Sequence, residues 1–418
     1  MKTSPFFTHT LACGLRLIVE PVPGPVAFCG LAVDAGTRDE RPDQSGMAHL
    51  MEHLLFKGTR RRRACHILNR MERVGGSLDA FTQKEETVVY SAFLTADLPR
   101  AMELLVDMVF GSTFPQRELE REVEVIIDEI HSYEDEPSEL IFDEFDELLF
   151  PHHPLGGRIL GDAVSLRSFS RADVLAFAAA HYRPDRIVLF VRGEVDPPRV
   201  VRLASRLMAV YTPNAYGSPA ESCDVPYRRP VPTGRPPQSR VRSLDTHQAH
   251  VMLGCRAYAA DDERGPALCL LSNLLGGPGM NARLNMALRE RQGLVYQVES
   301  NVTTYTDTGA FAIYFGCDGQ DVDRCLSLTF RELSVLRRQP LSPSQLVAAQ
   351  KQLVGQMGVA SINHENNALA MAKACLHHHR LETLDDASRR ILALTPEDVH
   401  RVAVELLDPD GLSTLIYR

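Results

Sequence analysis

The apolar positions of this chain follow two periodicities in turn, and the sequence of turns occurs twice. In the first half, "VAFCGLAVDAG" from Val26 reads as a buried strand and "HLMEHLL" from His49 as an apolar helix. Two strands follow, "GGSLDAFTQ" and "TVVYSAFL", and then the helical spacing of Leu98–Phe110. The second half repeats this order. "HVMLGCRAYAA" from His250 is a strand and "LCLLSNLL" from Leu268 an apolar helix. "GLVYQVESN" and "GAFAIYFG" are strands, and Ser342–Cys375 is a long helical stretch. Similarity at domain length predicts two copies of one α+β unit, each a mixed sheet with helices packed on one face. Between them, Tyr211–Arg240 is rich in proline, serine and glycine and has no apolar period, which reads as a linker. The expected division is 1–210, a linker over 211–240, and 241–418.

Length and composition agree with this and exclude several classes. A chain of 418 residues exceeds one ordinary core. With 44% apolar and 24% charged residues and a formal net charge of −9, no nucleic-acid partner is expected. The run Arg60–Arg63 is the main exception and reads as a solvated turn. No stretch approaches the roughly 18 apolar residues that span a bilayer, so no membrane segment is expected. The opening "MKTSPFFTHTLACGLRLIVE" has no apolar region with a small-residue cleavage site, so no signal peptide is expected. Nine cysteines without a CxxC pair suit reduced thiols in a cytoplasmic setting. The triplet His377–His379 reads as decoration at a helix end.

The apolar helix from His49 holds the candidate chemistry. Ser45 is a plausible N-cap, with the helix running to about Phe56. At about 100° per residue, His49, Glu52 and His53 fall on one arc. His49 and His53, at i and i+4, project side by side and can reach one ion. Glu52, beside them, is free to take a proton from water. The pattern is H-x-x-E-H.

A catalytic zinc needs a third protein ligand. The acidic helix "ELEREVEVIIDEIHSYEDEP", Glu118 to Pro137, offers candidates that helical phase sorts. Leu119, Val123, Ile126, Ile127 and Ile130 form the apolar stripe, and Glu120, Glu124 and Asp128 lie opposite it. Glu122 and Glu129, two turns apart, share a direction at the buried edge. Glu129 is chosen as ligand and Glu122 as the carboxylate that orients the site from behind.

At this point the chain resembles the inverzincin zinc peptidases, which include pitrilysin, insulin-degrading enzyme and mitochondrial processing peptidase. The resemblance covers nearly the whole chain. "GMAHLMEHLLFKGT" carries the zinc motif with its flanks, and 76 residues separate His53 from Glu129, as the family spacing implies. "GGSLDAFTQKEETVVYSAF" resembles the strand that pairs with substrate backbone, which implies contacts from Asp79, Ala80, Phe81 and Thr82. Asp79 stands where the family often has asparagine. "NARLNMALRERQGLVYQV" resembles the arginine–tyrosine motif. It implies that Arg289 contacts the peptide and Tyr296 hydrogen-bonds the developing oxyanion. The resemblance further implies one zinc ion per chain and zinc-dependent endopeptidase activity on peptides or unfolded segments held in a chamber. It also implies a homodimer, or a heterodimer with a related subunit. The alternatives are a non-catalytic peptide-binding or scaffold subunit, or a protease dedicated to one precursor.

Overall fold

The computed structural model describes residues 5–211, 229, 232–233, 236–244, 247–378 and 381–418. Along the first half run β1 (Phe7–Thr10), β2 (Arg16–Pro21), β3 (Val26–Val33), α1 (Met47–Leu55), α2 (Ala64–Glu72), β4 (Asp79–Thr82) and β5 (Thr87–Leu94). Next come α3 (Leu98–Gly111), α4 (Gln116–Glu134), α5 (Pro137–Leu149), α6 (Ala163–Ser168), α7 (Arg171–His181), β6 (Ile187–Gly193) and α8 (Pro197–Met208). The second half runs β7 (Ser239–Arg242), β8 (Ala249–Ala257), α9 (Gly265–Gly276), β9 (Val295–Thr304) and β10 (Gly309–Cys317). It ends with α10 (Val322–Arg338), α11 (Pro343–Ala360), α12 (His364–Lys373), α13 (Leu384–Leu392), α14 (Pro396–Leu406) and β11 (Ser413–Tyr417).

The two sheets have matching topology. The first is ordered β1-β2-β6-β3-β5-β4 and the second β7-β11-β8-β10-β9. In both, the first repeated strand pairs parallel with the last, and the central pair, β3 with β5 or β8 with β10, is antiparallel. The duplication expected from the residue pattern is therefore a duplication of strand order.

Strand alternation sorts side chains to the two faces. On β3, Cys29, Leu31 and Val33 join the main helical core of the first sheet, while Phe28 and Ala32 face the other side. On β8, Val251 and Leu253 face the helical core of the second sheet and Met252 the other side. That other side is also covered, by one helix in each unit.

The covering helices are exchanged along the chain. One compact unit comprises residues up to 131, 157–230 and 363–381; the second comprises 132–156, 231–362 and 382–418. Thus α5, from the first half, packs Leu140, Ile141, Phe145 and Leu148 on the second sheet beside Met252, Tyr314 and Leu415. In turn α12 lays Ala368, Met371 and Ala372 on the first sheet beside Phe28, Val88 and Phe190. This differs from the continuous division at 1–210 and 241–418. An amphipathic stripe tells which face of a helix is buried, not which sheet buries it. At Gly254 an added Cβ would stand 2.1 Å from the Phe311 carbonyl oxygen of β10 and 3.1 Å from the Phe145 ring of α5, so the bare glycine admits the neighbouring strand first and the helix with it.

Most of the 211–240 linker lies outside the described residues. Its end is not linker: Ser239–Arg242 is β7, paired in parallel with β11. All four of its residues are exposed, so it has no apolar alternation to betray a strand. His377 is not decoration either. Its side chain is 2% exposed and its Nε2 lies 2.9 Å from Glu86. His379 lies outside the described residues. No helix among them is long and apolar enough to cross a membrane.

If α5 completes the second unit, Phe145→Ala should destabilise the protein by about 3–5 kcal/mol, the usual cost of emptying a buried aromatic site. Urea denaturation followed by far-UV circular dichroism measures it. A loss below about 1 kcal/mol would mean that the helix is not integral to that core.

Candidate metal centre

Helix α1 is held by its apolar residues. Met47, Ala48, Leu50, Met51, Leu54 and Leu55 are fully enclosed. Its start is built differently from expectation. The N-cap is Gly46, in the left-handed region at φ 89°, and no side chain of the cap residue serves the helix. Instead the buried Glu40 carboxylate accepts from the backbone N–H of Gly46 (3.1 Å) and Ala48 (2.8 Å). Ser45, the expected cap, turns its hydroxyl to Asp162. Two orphan amides are thus satisfied by a carboxylate from outside the helix.

The polar arc of α1 faces α4. His49 is 7% exposed, and its ring stands edge-on to that of His53, centroids 4.7 Å apart. Nδ1 of His53 lies 3.2 Å from Glu122 Oε2, and its Nε2 lies 3.7 Å from Glu129 Oε2. Glu122 is buried, and its second oxygen meets Lys57 Nζ at 2.8 Å. Glu129, two turns along, has a side chain 45% exposed. The helical phase that paired these two glutamates is realised, but their burial is not equal: α4 turns Glu122 inward and leaves Glu129 at the mouth.

His49, His53 and Glu129 each offer one ligand atom, and these atoms lie within 4.8 Å of one another. Two imidazoles and a carboxylate form a zinc-type donor set. With Nδ1–H of His53 donated to Glu122, the lone pair rests on Nε2, on the side of Glu129. His49 Nδ1 is buried and has no hydrogen-bond partner among the described residues. An uncompensated buried nitrogen in such a set is what a bound cation would relieve. The residues present therefore fit a zinc ion.

Electrostatics prepare the set. Burial, and then the neighbouring His53 charge, lower the pKa of His49 to about 4, so it is neutral at pH 7. Burial pushes Glu122 up, but hydrogen bonds from His53 and Lys57 outweigh it and hold the carboxyl below its ordinary range. Burial raises Glu52, against the Thr82 hydroxyl and the His53 charge. A carboxyl displaced upward in this way suits a proton carrier.

The strand expected to meet substrate backbone is β4, at the end of its sheet and paired, among the described residues, with β5 alone. Asp79 is exposed, Ala80 and Phe81 are half-buried, and Thr82 is buried. Thr82 Oγ1 donates to Glu52 Oε2 at 2.6 Å. The sequence pattern marks Thr82 for backbone contact and carries no sign of this bond, by which its side chain holds the glutamate. Asp79 accepts from the N–H of Ala80 at 2.8 Å. Lys57 was missed as well, although it stands one turn beyond His53.

Arg289 and Tyr296 lie in the second unit. Arg289 is exposed near the end of the π-helical turn Asn285–Glu290. Tyr296 is 84% exposed on β9, the last strand of its sheet. So large an aromatic surface left in solvent is available for contact.

Residues 17–163 match the family model described as Insulinase (Peptidase family M16), and residues 168–353 match that of the Peptidase M16 inactive domain. An uncharacterized zinc protease of Streptomyces coelicolor is 34% identical over 95% of this chain and 86% of its own length. The uncharacterized zinc protease YmxG of Bacillus subtilis is 30% identical, over 98% and 97% of the two chains. Among solved structures, a protease from Helicobacter pylori aligns with TM-score 0.89 at 22% identity, covering 99% of both chains. A peptidase M16 inactive domain from Pseudomonas fluorescens aligns with TM-score 0.89 at 21% identity, over 99% of this chain and 97% of that one. These two support the fold.

Two outcomes are expected. Glu122→Ala should weaken zinc binding roughly 10–100-fold, measured by competition with a chromogenic chelator; unchanged affinity would remove Glu122 from the site. The second concerns pH. An unfolded histidine titrates near 6.5, and His49 is lowered to about 4 in the fold. Its contribution to stability is then complete above about 6.5 and is lost as pH falls toward about 4. Metal-free wild type should lose more stability across that window than His49→Gln. Equal losses in urea titrations would contradict the assignment.

Proposed function

The chain belongs to the M16 (insulinase) peptidase family, and on that premise we propose that it is a zinc-dependent endopeptidase acting on peptides or unfolded polypeptide segments. One observation carries the reading: His49, His53 and Glu129 bring ligand atoms within 4.8 Å of one another, with Glu52 on the same helical arc. His49 and His53 would bind through imidazole nitrogens and Glu129 through a carboxylate oxygen, one ion per chain. Zinc held there supplies Lewis acidity and lowers the pKa of water toward neutrality.

The chain's own groups do the rest. Glu52 takes a proton from the attacking water and returns it to the leaving amine. Thr82 fixes one oxygen of Glu52, so the other faces the reaction. Glu122, anchored by Lys57, keeps the His53 ring in one tautomer and orientation. The peptide lies extended along β4, pairing with the strand's free edge near Asp79, Ala80, Phe81 and Thr82. Tyr296 donates to the developing oxyanion, and Arg289 binds the peptide. Recognition through backbone implies broad tolerance of side chains. The assembly we propose is a homodimer, since zinc motif and arginine–tyrosine motif occur in one chain; a related partner subunit is the alternative. The description "inactive domain" attaches to residues 168–353, not to the segment with the zinc motif, and so does not favour a non-catalytic subunit.

A quenched peptide library tests this. Glu52→Gln should keep its zinc and lose roughly 10²–10⁴-fold in kcat. Tyr296→Phe should lower kcat by about 10²-fold with zinc retained. Full turnover in zinc-replete Glu52→Gln would rule out Glu52 as the base. A wild type that binds zinc stoichiometrically yet cleaves nothing, with or without chelator, would favour a binding subunit.

A further inference from the structure

In the run Arg60–Arg63, three arginines are exposed, as a solvated turn requires, and Arg62 departs from the pattern. Arg62 folds inward, where its Nη2 meets both oxygens of Glu103 at 2.5 and 2.6 Å and its Nη1 pairs with Asp107. Held so, it forms one wall of a cavity of about 280 Å³ between α2 and α3. The lining is Arg62, His66, Asn69, Arg70, Arg73 and Arg100.

On α2 the lining positions 66, 69, 70 and 73 follow i, i+3, i+4, i+7 spacing, so they form one stripe. Arg100 comes from α3 opposite, and Arg62 from the loop before α2. Of the four guanidiniums, Arg62 is doubly paired. Arg70 shares Glu103 at 3.3 Å, and Arg100 lies 3.4 Å from Asp97. Arg73 has no side-chain ion pair or hydrogen bond among the described residues. Arg70 Nε is buried there without a hydrogen-bond partner. Three guanidiniums thus share three carboxylates and the fourth, Arg73, is left over, in a chain whose formal net charge is −9.

A bland account exists for part of this. Cations in the last turn of α2 favour the helix dipole. That explains Arg70 and Arg73 but not Arg62 and Arg100, which arrive from other elements, nor the buried donor of Arg70 that nothing accepts. We propose that this cavity binds a phosphate-class oxyanion. Guanidiniums present planar pairs of donors that match phosphate oxygens, and groups converging from two helices and a loop suit a tetrahedral dianion better than a flat monocarboxylate. The residues are distinct from the metal set, so the assignment does not depend on the peptidase reading.

The experiment is calorimetric titration of the full chain, zinc-loaded and at low ionic strength, with inorganic phosphate. AMP is a second arm and acetate a third. Expected is one saturable phosphate site per chain, weakened about tenfold in Arg73→Ala, as befits loss of a charged donor, and abolished in Arg73→Glu. Arg73 is exposed and makes no structural pair, so both variants should keep the wild-type thermal midpoint and peptide hydrolysis. Tighter binding of AMP than of phosphate would identify phosphate esters as the source, and equal binding the free ion. The proposal is overturned if wild type shows no saturable heat, if acetate binds as tightly as phosphate, or if both Arg73 variants bind phosphate like wild type. The last result would also be the signature of phosphate bound at zinc.

Discussion

An apolar helix that buries two imidazoles and a carboxylate must replace the hydration it takes from them. Six fully enclosed residues commit α1 to the core, and the rings of His49 and His53 go in with it. Left alone, such groups would each cost several kcal/mol. The surroundings answer group by group. Glu122 accepts from His53 and is itself steadied by Lys57, Thr82 donates to Glu52, and His49 stays uncharged. What remains is a nitrogen without a partner and two carboxylates, Glu52 and Glu129, in one place. That residue of negative charge and free lone pairs is an environment for a cation, reached by asking only where each buried polar group finds its partner.

The same question explains what was legible in the amino-acid sequence. Periodicity is a property of one segment, so whatever one segment decides could be read: the H-x-x-E-H arc, the separation of Glu122 and Glu129 from Glu120 and Glu124, and the repeated order of strands. Partners chosen across the chain could not. Glu40 caps α1 from seven residues upstream of Met47, through a loop with no periodic signal. The exchange of α5 and α12 was hidden for the same reason: Phe145 and Met371 are buried in amphipathic helices that would look alike whichever sheet they covered. Within the run Arg60–Arg63 the exception is Arg62: charge composition predicts solvent for all four, while Glu103 and Asp107, more than forty residues away, draw that one inward.

The duplication separates what the fold needs from what the chemistry needs. Aligning the closing leucine pairs, Leu54–Leu55 with Leu274–Leu275, sets Cys269, Ser272 and Asn273 at the positions of His49, Glu52 and His53. Helix α9 nevertheless packs as α1 does, with Leu268, Leu270, Leu271 and Leu275 at 1% exposure or less. The unit therefore folds without imidazoles, and the histidines of α1 are not there for packing.

One feature survives the replacement. In the second unit Ser272 and Ser300 are hydrogen-bonded, their hydroxyls 2.9 Å apart, and this ties the helix to the last strand of its sheet, β9. In the first unit the tie from helix to last strand is Glu52 to Thr82 on β4, at 2.6 Å. Both copies thus cross-link the same helix position to the same strand of the repeat, one through two neutral hydroxyls and the other through a carboxylate. The cross-link belongs to the architecture; its chemistry belongs to the copy. A serine there spends its hydroxyl on bonds to Ser300 within the protein. A carboxylate has a second oxygen left over, and it is that oxygen, present in the first unit and absent from the second, that the proposed proton transfer requires.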